Sequence, residues 1–176
     1  MIIQLCGMSG AGKTTISRIV QQEAAARYGI KVEVIDGDVY RRTVNKDLGY
    51  TKRDRIENIK RLAKIAYQLS KNGVVTIISA INPYRDIRDE LKKIYPAVKE
   101  VFIDCPLNVL IKRDTKELYK RALLPDNHPD KLNNLTGLND PFEKPQKPDL
   151  HLRTDKMDVD ECVGQFIKFI IEEQTA

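Results

Sequence analysis

This sequence predicts an α/β fold of the P-loop NTPase type: a parallel sheet of about five strands, helices on both faces and a lid. Three observations lead there. Strand-like and helix-like patterns alternate along the chain. Between the first strand pattern and the first helix pattern, Gly7-Met8-Ser9-Gly10-Ala11-Gly12-Lys13-Thr14 fits G-x-x-x-x-G-K-[ST]. Neither an internal repeat nor a dividing linker interrupts the order. Residues 1–176 are therefore expected to form a single domain, with the lid over about residues 114–148.

Taken in order, Ile2-Ile3-Gln4-Leu5-Cys6 reads as a short buried strand, and Thr15 to Tyr28 has helical apolar spacing at Ile16, Ile19, Val20 and Ala24. Lys31–Ile35 is a second strand, closed by Gly29 before it and the turn Asp36-Gly37-Asp38 after it. Thr51 caps a long helix to Asn72 whose stripe is Ile56, Ile59, Leu62, Ala63, Ala66 and Leu69. Gly73 ends it. Val74-Val75-Thr76-Ile77-Ile78 then has the almost wholly apolar run of a buried parallel strand. Tyr84–Tyr95 is helical and Pro96 stops it. Glu100–Asp104 is a fourth strand and Pro106 to Arg113 a short helix. Leu123 to Pro148 carries five prolines, four asparagines and little periodicity, as functional lids do. Asp149–Arg153 is the last strand and Val159–Ile171 an amphipathic closing helix.

Composition excludes several classes. No apolar run approaches the ~18 residues of a membrane span, and no signal peptide precedes the first strand. Cys6, Cys105 and Cys162 form no C-x-x-C pair, and His128 and His151 are too scattered to complete a zinc site. They read as core thiols of a reducing compartment, so the protein is expected in the cytoplasm. The net charge is +5, but acidic residues are interleaved with the basic ones. Nucleic-acid binding is therefore not expected; small polyanions are.

The chemistry centres on the rim where strand ends converge. In the P-loop, the backbone amides of Gly7, Ser9, Gly10, Ala11 and Gly12 and the start of the helix at Thr15 make an anion cradle. Lys13 reaches the β- and γ-phosphates of ATP, and the Thr14 hydroxyl binds Mg²⁺. Asp36 and Asp38, opposite the P-loop, suit a metal-linked carboxylate or a base. Arg41, Arg42, Arg53 and Arg55 follow that turn, and arginine forks suit an anionic acceptor. A GTPase-like switch is the competing reading, but Asn45-Lys46-Asp47 has the wrong spacing for a guanine-reading motif.

Longer strings say more. Asp36-Gly37-Asp38-x-x-Arg41-x-x-x-Asn45-Lys46-Asp47-Leu48-Gly49-Tyr50, then Asp54-Arg55-x-Glu57-Asn58-Ile59-x-Arg61, resembles the adenylylsulfate (APS) kinase family. So do Pro83-Tyr84-Arg85, Leu118-Tyr119-Lys120 and Leu135-Thr136-Gly137-x-x-Asp140-Pro141-Phe142-Glu143-x-Pro145. The resemblance implies transfer of the ATP γ-phosphoryl to the 3′-hydroxyl of adenosine 5′-phosphosulfate in sulfate assimilation, and a family that is often homodimeric. It implies that Lys13 and Thr14 serve ATP and Mg²⁺, and that Asp36 is the metal-linked or base carboxylate. Asp38, Arg41, Arg55 and Asn58 would surround the acceptor, Lys120 would lie on the lid, and Tyr50 would replace a phenylalanine packed on the acceptor base.

The departures concern the acceptor. Val39 replaces an asparagine, Asn82 a serine and Leu135 the second stacking phenylalanine, and the lid at Leu123–Asp130 is longer. Aromatic stacking is worth about 1–3 kcal/mol per base. The alternative they raise is the same chemistry on another nucleotide-linked anion, such as cytidine diphosphoramidate.

Overall fold

The computed structural model describes residues 1–95 and 98–175. Five strands, β1 (Ile2–Cys6), β2 (Val32–Asp36), β3 (Val75–Ser79), β4 (Val98–Asp104) and β5 (Leu150–Arg153), pair in parallel in the order β2-β3-β1-β4-β5. Among the described residues seven helices accompany them: α1 (Lys13–Tyr28), α2 (Gly37–Arg42), α3 (Lys52–Ser70), α4 (Arg85–Ile94), α5 (Leu107–Arg113), α6 (Leu118–Ala122) and α7 (Val159–Thr175).

Alternation along each strand divides the core between the two sheet faces. Ile3, Leu5, Val75, Ile77, Val101 and Ile103 pack with Ile16 and Val20 of α1 and Phe166 and Ile170 of α7. Ile2, Ile35, Ile78 and Val98 pack with Ile59 and Leu62 of α3 and Ile87 and Leu91 of α4. β1 and β3 are buried at every position, which is why they read as nearly unbroken apolar runs.

The second face also carries charge. Arg88 Nε lies 2.6 Å from Glu100 Oε1, both side chains almost fully buried, and Lys92 Nζ donates to Glu100 Oε2 at 2.8 Å. The Arg88 guanidinium also donates to Asn82 O at 2.8 Å and to Glu143 O. This network ties the loop after β3 to β4 and to the long segment before β5.

All five strand patterns and the main helices lie where the sequence places them, with shifted ends. β4 starts at Val98 rather than Glu100, α1 at Lys13 rather than Thr15, and α7 runs on to Thr175. Pro96, read as a helix stop, lies outside the described residues. Two helices are additional. The Asp36-Gly37-Asp38 turn opens α2, because Asp36 Oδ1 accepts from the amides of Asp38 at 2.9 Å and Val39 at 3.1 Å and so caps a helix. α6 spans five residues, too few to show a period. Among the described residues, the segment from 123 to 149 holds no helix or strand and one isolated β-bridge, between Thr136 and Asp140, as its composition predicts. Among the described residues no helix is long and apolar enough to cross a membrane.

Parallel order sends every strand's carboxyl end to one rim. The loop after β1, the start of α2, residues 80–84 after β3 and Cys105-Pro106 after β4 all meet there.

Candidate active site

The loop between β1 and α1 is shaped by its glycines. Gly10 and Gly12 have φ of 76° and 103°, in the left-handed region that side chains disfavour. A Cβ on Gly7 would run into the carbonyl of Ile103, so β4 can pass close behind the loop. Ser9, Gly10, Gly12, Lys13, Thr14 and Thr15 line a cavity of about 190 Å³ with Asp36, Asp38, Ser79 and Lys116. Ala11 is buried and does not line the cavity; its carbonyl accepts from Thr154 Oγ1 at 3.0 Å.

Lys13 Nζ donates to Gly7 O and Met8 O, each at 2.8 Å, which holds the ammonium in place within the loop. Burial pushes its pKa down to about 8, and the nearby Lys116 charge adds to the shift; Asp38, Cys6 and Asp36 oppose it. The Thr14 hydroxyl donates to Asp36 Oδ2 at 3.0 Å and lies 3.5 Å from Ser79 Oγ. One carboxylate and two hydroxyls are hard oxygen donors, the set that suits Mg²⁺ when phosphate oxygens complete its shell.

The two aspartates of the predicted pair face different partners. Asp36 spends one oxygen on the α2 cap and the other on Thr14. Asp38 lies in the wall of the phosphate cavity and of both neighbouring pockets. Its Oδ2 accepts from Lys116 Nζ at 2.9 Å. Burial opposes its ionisation, but the hydrogen bond and charge of Lys116, with Lys13 and Arg42, hold its pKa below the ordinary value.

Beyond Asp38 is a small pocket of about 50 Å³, where Arg41, Arg55, Tyr50, Asn58 and Asn82 converge. Arg55 Nε donates to Tyr50 O at 2.9 Å and its Nη2 to Asn134 O at 2.6 Å, bridging α3 to the long segment. Asp140 lies 3.8 Å from Arg55 Nε. Asn58 Oδ1 accepts from Asn45 Nδ2 at 3.0 Å. The Tyr50 ring lies under both guanidiniums, 4.9 Å from Arg41 and 5.6 Å from Arg55. A wider cleft of about 420 Å³ continues past Tyr50 and Arg55 to Leu118, Leu132, Leu135 and Thr136.

Of the residues expected around the phosphates, Ser9, Gly10, Gly12, Lys13, Thr14 and Thr15 line the phosphate cavity whereas Gly7 and Ala11 do not, and all but one of those expected around the acceptor line the two pockets beyond it. The exception is Lys120. It lines none of these cavities; its side chain is 76% exposed, and its ion pair among the described residues is with Glu117 at 3.9 Å. Four residues earlier, Lys116 supplies the cation to the rim instead. Sequence reading missed Lys116, although it precedes the Leu118-Tyr119-Lys120 string, and placed Ser79 at a strand end on the rim without giving it a role. Tyr119 anchors that region: its buried hydroxyl donates to Ser9 O of the P-loop at 2.9 Å. Burial raises its pKa to about 12, so it remains a donor. Val39, one of the departures, sits on α2 with its side chain partly exposed and lines none of these cavities.

Known proteins share this arrangement. The sequence profile of the adenylylsulphate kinase family matches residues 1–153. The adenylyl-sulfate kinase of Chloroflexus aurantiacus is 43% identical over 170 residues, covering 95% of this chain and 87% of its own. That of Rippkaea orientalis is 44% identical, covering 92% and 86%. Among solved structures, the Mycobacterium tuberculosis APS kinase in complex with AMPPNP and APS superposes with a TM-score of 0.88 at 32% identity, over 97% of this chain and 96% of that one. With a P-loop, an arginine-lined pocket and a family profile spanning most of its length, this chain belongs to the adenylylsulphate kinase family.

Proposed function

We propose that the protein transfers the γ-phosphoryl of ATP to the ribose 3′-hydroxyl of a nucleotide-linked anion, with adenosine 5′-phosphosulfate the acceptor that the family supports. The observation that carries this reading is the position of Asp38. It belongs at once to the cavity around Lys13 and Thr14 and to the pocket around Arg41 and Arg55, so a donor and an acceptor seated in the two would meet beside it.

In phosphoryl transfer the protein chiefly positions reactants and neutralises charge. The P-loop amides and Lys13 hold the phosphates in line. Thr14 and Asp36 would hold Mg²⁺, which would supply positive charge to the phosphate oxygens. Arg41, Arg55 and Asn58 orient the acceptor, and Tyr50 and Leu135 border its nucleoside. Asp38 accepts the proton of the attacking 3′-hydroxyl. Its low pKa makes it a weak base, sufficient where a base has only a secondary part. Lys116, freed from Asp38, answers the charge spread over the transferring group. The segment at about 114–148 acts as the lid that excludes water, pinned to the P-loop through Tyr119. The three buried free thiols support a cytoplasmic setting, and a homodimer belongs to the same reading.

A second acceptor reading has its own support. Leu135 is buried in the wall of the nucleoside cleft, where it offers no aromatic face for a base. Cytidine diphosphoramidate, with a smaller base, is an acceptor of that kind.

The test is kcat/KM with ATP and Mg²⁺ against APS, cytidine diphosphoramidate, CDP, UDP and AMP. A value of about 10⁴ M⁻¹s⁻¹ or more for APS bears out the first reading, and preference for a cytidine compound the second. Failure to phosphorylate any of the five would overturn both.

A further inference from the structure

Tyr50 is 56% exposed and belongs to neither hydrophobic cluster, yet its position is fixed. The loop that carries it is held on both sides. Before it, Asp47 accepts two hydrogen bonds from the Arg61 guanidinium, each at 2.8 Å. After it, the Thr51 hydroxyl accepts from the amide of Asp54 at 3.1 Å and caps α3. The carbonyls of this loop in turn hold two cations. Gly49 O accepts from Arg41 Nη1, and Tyr50 O accepts from Arg55 Nε at 2.9 Å. Both guanidiniums also lie over the Tyr50 ring, 4.9 Å and 5.6 Å from its centre. Those distances fall within the roughly 6 Å over which the negative face of a ring attracts a cation.

Two like charges around a pocket of about 50 Å³ repel each other. Burial lowers the pKa of Arg41 and the Arg55 charge adds to the shift, whereas Tyr50, Asp38 and Asp54 oppose it. Among the described residues one carboxylate pairs with either guanidinium, Asp140 at 3.8 Å from Arg55 Nε. The Tyr50 ring faces both. Resting on the phosphoryl-transfer reading, we propose that Tyr50 is a positioning residue for the anionic end of the acceptor: its ring is a shelf that holds Arg41 and Arg55 together as one anion-binding fork. Each guanidinium keeps N–H groups beyond those bonded to carbonyls, and all three residues line the pocket. The family resemblance gives this position a ring packed on the base. The shelf adds a second task at the other end of the same molecule, and Tyr50 borders the wider cleft as well as the pocket. Guanidiniums fixed in advance lose little freedom when the anion arrives. The benefit therefore falls on acceptor affinity rather than on the transfer step.

The experiment is a double-mutant cycle on kcat/KM with ATP and Mg²⁺, for APS or whichever acceptor of the panel the intact protein uses best. Tyr50→Phe keeps the ring and Tyr50→Leu removes it, each in the intact protein and in Arg41→Met. In the intact protein Tyr50→Leu should lower acceptor kcat/KM about tenfold, equivalent to about 1.4 kcal/mol, through KM and with little change in kcat. In Arg41→Met the same substitution should cost less than about threefold, because the cation nearer the ring is already gone. Tyr50→Phe should stay within about threefold of tyrosine in both backgrounds. A ring that served the base alone would give the same loss in both. A cost above about threefold in Arg41→Met, a loss below that in the intact protein, a loss carried by kcat, or a Tyr50→Phe loss equal to that of Tyr50→Leu overturns the inference and leaves the kinase reading standing. Melting curves check folding; should Tyr50→Leu not fold, Tyr50→Gln takes its place in the cycle. Absence of transfer to every nucleotide of the panel by the intact protein overturns both.

Discussion

Lys13 gives a pH dependence that its environment fixes in sign. In the empty site its pKa is about 8, because burial and Lys116 disfavour the charge. Bound phosphates favour that charge and return the pKa toward or above its ordinary value of about 10.4. ATP binding therefore takes up a proton wherever the free protein has lost it. The contribution of the ammonium to affinity is complete below pH 8 and declines as pH rises through it. Lys13 is about nine-tenths protonated at pH 7 and one-tenth at pH 9, so affinity should fall about tenfold between them, or about 1.4 kcal/mol. Calorimetric titration of a non-hydrolysable ATP analogue at pH 7, 8 and 9, in buffers of different ionisation enthalpy, reads both the affinity and the proton uptake. Lys13→Met should bind weakly, with little pH dependence. A wild-type affinity constant within twofold over this range, with no proton uptake at pH 9, would refute the argument.

Other perturbations have equally defined outcomes. Lys116→Met removes an exposed pair, so thermal melting should move little; the midpoint of the Lys13 titration should rise, because one cause of its depression is gone, and single-turnover rates should fall at least tenfold. Arg55→Ala removes a charged donor from the acceptor pocket at a cost of about 1.5–3 kcal/mol; steady-state assays should show acceptor kcat/KM reduced roughly 10- to 150-fold and ATP hydrolysis within threefold of wild type, and equal losses in both would count against an acceptor role. Arg88→Met leaves the buried Glu100 carboxylate with Lys92 as its remaining cationic partner among the described residues, and urea unfolding should show about 3–5 kcal/mol less stability.

The phosphate side was legible because its parts are contiguous. Eight neighbouring residues specify the turn, the cradle, the lysine and the hydroxyl, and β1 and α1 hold them in place. The acceptor side is assembled over distance and was legible only as a set of residue types. Arg55 meets Asn134 across 79 positions, and Asn82 meets Gln4 across 78; no local pattern encodes either contact. Tyr50 illustrates the difference: the family resemblance implies packing on a base, yet in the fold two guanidiniums sit over its ring. Lys120 sits on α6, which is too short to reveal which side faces the rim, and Lys116 lies in the irregular turn just before it, where no period applies. Asp36-Gly37-Asp38 was read as a turn because its capping bonds point forward into a helix of only six residues.

The long irregular segment has a consequence for how such a protein changes over generations. Leu135 is positioned through its backbone: its amide donates to Asn139 Oδ1 at 2.7 Å, while its carbonyl accepts from the amides of residues 138, 139 and 140. The path of the chain at that point is thus set by main-chain bonds, while the Leu135 side chain packs into the core beside the cleft. At Gly7, by contrast, even a methyl group would collide with the strand behind the loop. A lineage can thus try new groups against the nucleoside while the phosphate machinery stays fixed, so substrate preference can drift without loss of the reaction.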